Sequence, residues 1–230
     1  AYVVNTPLME GSDSEFQTHI WIATADGSRN TQYTRGNFSA SAPAFSPDSE
    51  HLSFISKRGE GDSAKSQVWI MPLFGGEARQ LSDAENNVGA YKWSPTGDRI
   101  AFSMQDPFSE EREREIEEKR DVILVDQQPR YSHLHVVPMS DSSSKSSKSV
   151  QITAGKLVVG DFSWSPDGGE IAFSHKPTAD LNVANQHGDI SIVTVPSSSS
   201  IVAASTNNGP DLEGPKNPPH LGQLLTLNNH

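Results

Sequence analysis

The 230-residue chain contains no cysteine, which excludes disulfides, thiolate nucleophiles and thiolate metal ligands. Aromatic residues make up only 7% of the chain and hydrophobic residues 34%, too little for one thick core but suited to several thin layers. Cations are also scarce. With 18 basic against 29 acidic residues, the net charge of −11 argues against nucleic acid or an anionic membrane as the main partner.

Two further absences concern the membrane and the cell compartment. No apolar run is long enough to span a bilayer. The chain also opens without a methionine and without the charged and then apolar segment of a secretory signal. These features favour a soluble, cytoplasmic protein, and we expect neither a cofactor nor a bound metal.

The chain contains one sequence motif three times. An aromatic residue precedes Ser-Pro, then Asp or Thr, then Gly or Ser, and an alternating apolar strand follows. Serine, proline and glycine at these positions are typical of a type I turn, so each copy predicts a β-hairpin with one apolar face. The copies are FSPDSEHLSFIS (45–56), WSPTGDRIAFS (93–103) and WSPDGGEIAFS (164–174). The predicted core pairs are Leu52 with Phe54, Ile100 with Phe102, and Ile171 with Phe173.

Each hairpin supplies the first two strands of a unit. The sequence also predicts a third strand in each of four units, usually followed by a polar turn and a short fourth strand. The third strands are 19–22, 67–71, 133–137 and 189–193, and the short ones fall within 77–82 and 149–153. Four strands per unit, at a period of roughly 40 to 50 residues, are the signature of a β-propeller. The alternative is a β-sandwich with fortuitous similarity between its hairpins.

The predicted fold is therefore all-β: a β-propeller segment of about three complete four-stranded blades, partial blades at both ends and one short inserted helix. It covers residues 1–205, and residues 206–230 are expected to form an irregular tail. The next Ser-Pro turn is expected near 216–221, where the sequence reads KNPPHL. An open segment of a larger ring is favoured over a small closed ring of four blades. Its terminal blades should then expose apolar faces.

The hairpins resemble those of propellers in the prolyl oligopeptidase family of serine peptidases, and those of TolB-type propellers. Three longer stretches favour the peptidases, because they are similar to blades of acylaminoacyl-peptidase-like and dipeptidyl-peptidase-like members. They are DVILVDQQPRYSHLHVVPM (121–139), GDFSWSPDGGEIAFSHKPTADLN (160–182) and GDISIV (188–193).

In that family the propeller accompanies an α/β-hydrolase domain. The resemblance implies a non-catalytic propeller portion that gates peptide substrates by size, with the chemistry in a hydrolase domain missing from this chain. The alternative is a stand-alone TolB-like propeller that binds a protein partner. No catalytic residue is predicted, because GDSAK (61–65) and GNFSA (36–40) both fail the G-x-S-x-G pattern of a nucleophile elbow.

The most charged stretch, SEEREREIEEKRD (109–121), predicts the inserted helix, with Ser109 as its N-cap. Some dipeptidyl peptidases hold the free amino terminus of a substrate with paired glutamates on a propeller helix. By this resemblance Glu117 and Glu118 are candidate substrate-binding residues, and the alternative is a solvated helix face.

Two further features of the sequence bring polar side chains close together. His133 and His135 alternate on a strand and so share a face, which is metal-ligand geometry for two positions. No third ligand stands at a supporting spacing, so an ordinary strand pair is the preferred interpretation. The serine-rich stretches 140–149 and 197–200 cannot bury apolar surface and are expected to be mobile surface loops.

Overall fold

The computed structural model describes residues 1–8, 15–59, 64–118, 130–139, 147–177 and 188–201. Within these residues the strands form four consecutive antiparallel units, each folded back and forth in chain order. The first unit contains β1 (Tyr2–Leu8), β2 (Glu15–Ala23) and β3 (Asn30–Gln32). The second contains β4 (Ala40–Phe45), β5 (His51–Lys57), β6 (Ser66–Pro72) and β7 (Arg79–Gln80).

The third and fourth units repeat this arrangement. The third contains β8 (Val88–Trp93), β9 (Arg99–Gln105), β10 (Ser132–Pro138) and β11 (Val150–Gln151), with the helix α1 (Glu110–Glu117) between β9 and β10. The fourth contains β12 (Val158–Trp164), β13 (Glu170–Lys176) and β14 (Asp189–Thr194). A single parallel bridge between Ser132 and Val158 joins these two units.

The predicted all-β architecture and the short inserted helix are confirmed. The second and third units have all four strands within the described residues, and the first and fourth units have three. The number of complete blades stays a prediction, because a fourth strand after β14 would fall beyond Ile201. The tail expected over 206–230 also lies outside the described residues.

The three Ser-Pro turns have the predicted conformation. The N–H groups of Ser49, Gly97 and Gly168 donate to the carbonyls three residues earlier, at 2.9, 3.0 and 2.9 Å. These three residues have φ of 60°, 75° and 72°, a left-handed conformation that glycine adopts at least cost. The first serine of each turn also accepts a hydrogen bond from a backbone N–H five residues later. The repeated serine therefore closes each hairpin through its side chain.

The core consists of three separate layers, one between each pair of neighbouring units. All six side chains of the predicted core pairs are buried, so that prediction is confirmed. Leu52 and Phe54 pack with the first unit, Ile100 and Phe102 with the second, and Ile171 with Phe173 against the third. Each such side chain contributes about 2 kcal/mol by leaving water. The low apolar content of the chain is therefore enough to fill the core, because each of the three layers is thin.

In the third and fourth units, the aromatic residue before the Ser-Pro turn joins its unit to the preceding unit. Trp93 Nε1 donates to Ser53 Oγ at 2.7 Å, and Trp164 Nε1 donates to the carbonyl of Lys92 at 3.1 Å. Tyr91, on the same strand as Trp93, donates from its hydroxyl to the carbonyl of Ala42 at 2.7 Å. The third and fourth units are therefore each held on the preceding unit by aromatic rings whose polar atoms are satisfied.

The two terminal units expose apolar side chains. In the first unit these are Tyr2, Val3 and Phe16, and in the fourth they are Ile190 and Ile192 on β14. The corresponding third-strand residues of the second unit, Val68 and Ile70, are fully buried between units. An open ring remains a prediction, and these exposed faces are what such a ring requires.

Candidate functional site

The two ends of the units carry connections of different kinds. At one end the Ser-Pro turns are short and touch each other: a methyl group added at Gly97 would lie 3.6 Å from Pro47 Cδ, and one at Gly168 would lie 3.4 Å from Thr96 Oγ1. At the other end run the connections between the second and third strands, including residues 106–131 with α1. We call these the turn end and the loop end. Binding residues are more often carried by long loops than by tight turns.

The turn end is fastened by Arg99, whose side chain is 8% exposed. Its guanidinium donates to the carbonyl of Gly168 at 2.9 Å and to that of Pro196 at 2.6 Å, and it lies 5.5 Å from the ring of Trp164. It also pairs with the carboxylate of Asp98 at 3.2 Å. Arg99 of the third unit therefore holds both the Ser-Pro turn of the fourth unit and the segment that follows β14.

Asp98 completes this cluster through hydroxyl groups. Burial of its carboxyl raises the pKa, but hydrogen bonds from Ser198, Thr96 and Ser94, together with the charge of Arg99, outweigh that effect and bring the pKa to about 2. The prediction of a mobile loop over 197–200 is wrong in part. Residues 198–201 form a helical turn, and its last residue, Ile201, is buried. The turn end is therefore a structural joint between units.

At the loop end, α1 begins as predicted. Ser109 is its N-cap, and the Ser109 side chain accepts a hydrogen bond from the Arg112 N–H. The helix is not solvated all round, because Arg112 is buried and pairs with Glu115 at 2.8 Å. Glu118 follows the last helical residue and is exposed, whereas the side chain of Glu117 lies outside the described residues. Substrate binding by Glu117 and Glu118 stays a prediction.

The two histidines of β10 share a face, as predicted, but their rings have different surroundings. His133 lies 3.3 Å from Thr153 Oγ1 through Nδ1 and 3.5 Å from Asp106 Oδ2 through Nε2. His135 stacks on Phe102 with ring centroids 5.4 Å apart, and its Nε2 has no hydrogen-bond partner. Burial, and to a lesser extent His133, lowers the pKa of His135 to about 4. His135 is therefore a neutral core residue, which supports the preferred interpretation of an ordinary strand pair.

Sequence reasoning missed two stacked arginines at the loop end. The Arg58 guanidinium lies 4.0 Å from the ring of Trp69, and that of Arg130 lies 4.0 Å from the ring of Phe108. Burial lowers the pKa of both groups. Nothing in the repeat marks these positions, since Arg58 corresponds to Asp106 in the third unit. Stacking holds the Arg58 and Arg130 guanidinium groups in fixed orientations at the loop end.

Among the described residues, one group could hold a metal ion: Asp48, Glu50 and His51, whose ligand atoms lie within 4.8 Å of one another. All three belong to the first Ser-Pro turn and the strand after it. Asp48 Oδ1 accepts hydrogen bonds from Ser46 Oγ and from the Glu50 N–H, which lower its pKa. Asp167 makes the same contacts in the last turn. The turn accounts for this cluster, and we assign it no metal.

Comparison with known proteins places this geometry among peptidase and TolB propellers. No protein-family model matches the chain. The chain is 29% identical, over 201 residues, to the uncharacterized peptidase YuxL of Bacillus subtilis, covering 81% of this chain and 29% of YuxL. It is 29% identical over 85 residues to the Tol-Pal system protein TolB of Alcanivorax borkumensis, covering 37% and 19%.

Among solved structures, the acylaminoacyl peptidase of Pyrococcus horikoshii is similar with a TM-score of 0.57 and 16% identity, over 85% of this chain and 29% of that one. Likeness at this identity shows the fold alone. Together these matches confirm the predicted resemblance to propellers of the prolyl oligopeptidase family and of TolB. The chain spans less than a third of the length of the peptidases that it matches. None of the helices in the described ranges is long and apolar enough to cross a membrane.

Proposed function

We propose that this chain is the non-catalytic propeller portion of a serine peptidase of the prolyl oligopeptidase family. In this proposal it gates the access of peptides to a hydrolase domain that these 230 residues do not contain. The observation that carries the proposal is the 29% identity to a peptidase over 81% of the chain. The propeller portion is taken as residues 1–205.

The loop end is the side that would face the peptide. The connection that carries α1 lies there, whereas the turn end is filled by the contacts of Arg99 and Asp98. A free amino group of a peptide would meet the acidic α1 and the pair Glu117 and Glu118. A carboxylate or carbonyl would meet the stacked guanidinium groups of Arg58 and Arg130. These contacts need no metal or cofactor.

The second candidate function is a stand-alone protein-binding module. The match to TolB over 85 residues favours it, because TolB is itself named as part of the Tol-Pal system. The exposed apolar side chains of the terminal units would then contact a protein partner instead of further blades. The two functions differ in whether the native protein carries a serine nucleophile.

The first test is covalent labelling of the purified chain with a fluorophosphonate probe, which reacts with activated serines. We expect labelling no higher than that of the heat-denatured chain, because no serine here stands in a nucleophile elbow. The matched controls are Ser63→Ala and Ser39→Ala, which alter the two stretches closest to the elbow pattern. Labelling of the folded chain that either substitution abolishes would show a nucleophile in this chain and overturn the proposal.

A further inference from the structure

The two stacked arginines of the loop end, Arg58 and Arg130, differ in what surrounds their charge. The guanidinium of Arg130 donates to the carbonyl of Asp106 at 3.0 Å, and the carboxylate of Asp106 acts on its charge. Within the described residues, no carboxylate pairs with Arg58 and no carbonyl accepts a hydrogen bond from its guanidinium. Arg130 is therefore a structural contact at the base of the connection that carries α1, whereas the charge of Arg58 is left without a partner there.

Two buried arginines show how this fold otherwise treats such a charge. Arg99 pairs with the carboxylate of Asp98 at 3.2 Å, and Arg112 pairs with that of Glu115 at 2.8 Å. Arg58 is half-buried, and its Nε is buried without a hydrogen-bond partner. Burial lowers the pKa of Arg58, and no anion among the described residues raises it again. Burial of an unpaired cation costs free energy, which an added anion would offset.

The ring of Trp69 forms a fixed platform beneath Arg58. Trp69 Nε1 donates to the carbonyl of Ser56 at 3.1 Å, on the strand that leads to Arg58. The guanidinium lies 4.0 Å from the Trp69 ring and 5.7 Å from the ring of Phe54, which is fully buried. A guanidinium that is already stacked loses less freedom when its N–H groups bind a ligand. The stack therefore orients Arg58 before any ligand arrives.

The repeat does not require an arginine at this position. Twelve positions after the first serine of the Ser-Pro turn stand Arg58 in the second unit, Asp106 in the third and Pro177 in the fourth. Among these three units, an arginine stacked on a tryptophan at this position is a feature of the second alone. A contact that held the units together would be expected at more than one copy.

We propose that Arg58, stacked on Trp69, binds a carboxylate group of a peptide. The guanidinium donates two parallel hydrogen bonds to the two carboxylate oxygens, a geometry for which arginine is well suited. The bound carboxylate supplies the anion that the half-buried cation lacks. A chain with a net charge of −11 also repels a phosphate dianion more strongly than a singly charged carboxylate. That the peptide is a substrate rests on the proposed function, but the binding itself does not.

Titration of the whole chain with three short peptides tests the site. The first, acetyl-Ala-Ala-Ala, ends in a carboxylate; the second, acetyl-Ala-Glu-Ala-amide, carries one on a side chain; the third, acetyl-Ala-Ala-Ala-amide, has none. The indole N–H signal of Trp69 reports binding by NMR, and Trp69→Phe assigns that signal. We expect at least one acid peptide to bind roughly tenfold more tightly than the amide, because the amide lacks the charge-assisted hydrogen bonds. The tighter acid peptide identifies whether the carboxylate is terminal or on a side chain.

Substitutions separate binding from a structural role. Arg58→Gln should weaken the tighter acid peptide roughly tenfold and abolish its advantage over the amide. Its urea midpoint should match that of wild type, because no described carboxylate loses a partner. Lys57→Gln is the matched control, since it removes the same charge from the exposed neighbour and should change affinity less than about threefold. Arg58→Lys should recover less than half of the lost binding free energy, since an ammonium lacks the planar fork.

Three results would overturn the proposal. They are equal affinity of wild type for the acid and amide peptides, acid binding that survives Arg58→Gln, and tighter binding of inorganic phosphate than of either acid peptide. None of these measurements involves a hydrolase domain. A failure here would therefore leave the fluorophosphonate test of the proposed function unaffected.

Discussion

Replacing Arg99 with alanine should lower the free energy of unfolding by about 3 kcal/mol. Arg99 is buried and holds two carbonyls of the fourth unit, those of Gly168 and Pro196, while its charge faces Asp98. The substitution leaves these carbonyls and a low-pKa carboxylate without their cation, which costs more than the loss of an average surface contact. Urea unfolding of wild type and variant at neutral pH measures the difference.

Arg29→Ala is the matched control, because Arg29 is exposed in the turn after β2 and should change stability by no more than about 0.5 kcal/mol. Arg99→Lys should recover less than half of the loss, since an ammonium cannot reproduce the planar fork that reaches both carbonyls. Since Arg99 joins the third and fourth units, the alanine variant should also unfold less cooperatively. A change below about 0.5 kcal/mol would show that the units are held together without it.

Replacing His135 with phenylalanine should remove a large part of the acid sensitivity of the fold. The pKa of His135 falls from 6.5 to about 4 on folding, mainly because the ring is buried against Phe102. Between these two values the unfolded chain binds more protons at this residue than the folded chain does. Its contribution to stability is therefore fully present above pH 6.5 and is lost as the pH falls towards 4. The loss amounts to about 3 kcal/mol at pH 4.

Between pH 7 and pH 4, the free energy of unfolding of wild type should thus fall by about 3 kcal/mol more than that of His135→Phe. Phenylalanine fits the site because Trp69 occupies the same position in the second unit, and it leaves no unpaired Nε2. His135→Gln, which also cannot take up a proton in this range, should lose the same slope and so separates titration from packing. Parallel stability curves for wild type and His135→Phe would show that the ring is not held neutral in the fold.

The hairpins and their core residues could be predicted because local chemistry determines them. Serine, proline and glycine set each turn, and alternation then decides which side chains of 52–54, 100–102 and 171–173 face the preceding unit. The start of α1 at Ser109 could also be predicted, because an N-cap is a local feature of the sequence. These features depend only on residues close together in the chain.

The joints between units could not be predicted in this way. Arg99 meets Pro196 across 97 positions, and Trp164 meets Lys92 across 72. No periodic pattern announces the Arg99 contact, because the other two hairpins have His51 and Glu170 at the same position. Trp164 does stand at the repeated aromatic position, but the sequence does not show that its partner lies in the preceding unit. A second repeat, Gln–apolar–Thr/Ser, stands at QYT (32–34), QLS (80–82) and QIT (151–153), at equal distances before the three Ser-Pro turns, and its hydroxyl groups accept hydrogen bonds from third-strand N–H groups. It was missed because its residues are polar, and a search for apolar alternation passes over them.

The size and reactivity of the native gene product test the peptidase proposal most directly. An antibody raised against this chain should detect, in cells of the source organism, a protein about three times heavier than 25.0 kDa, since the chain spans 29% of its peptidase relative. The same protein, immunoprecipitated, should react with the fluorophosphonate probe. A native protein near 25 kDa that the probe does not label would contradict the peptidase account and favour the stand-alone binding module.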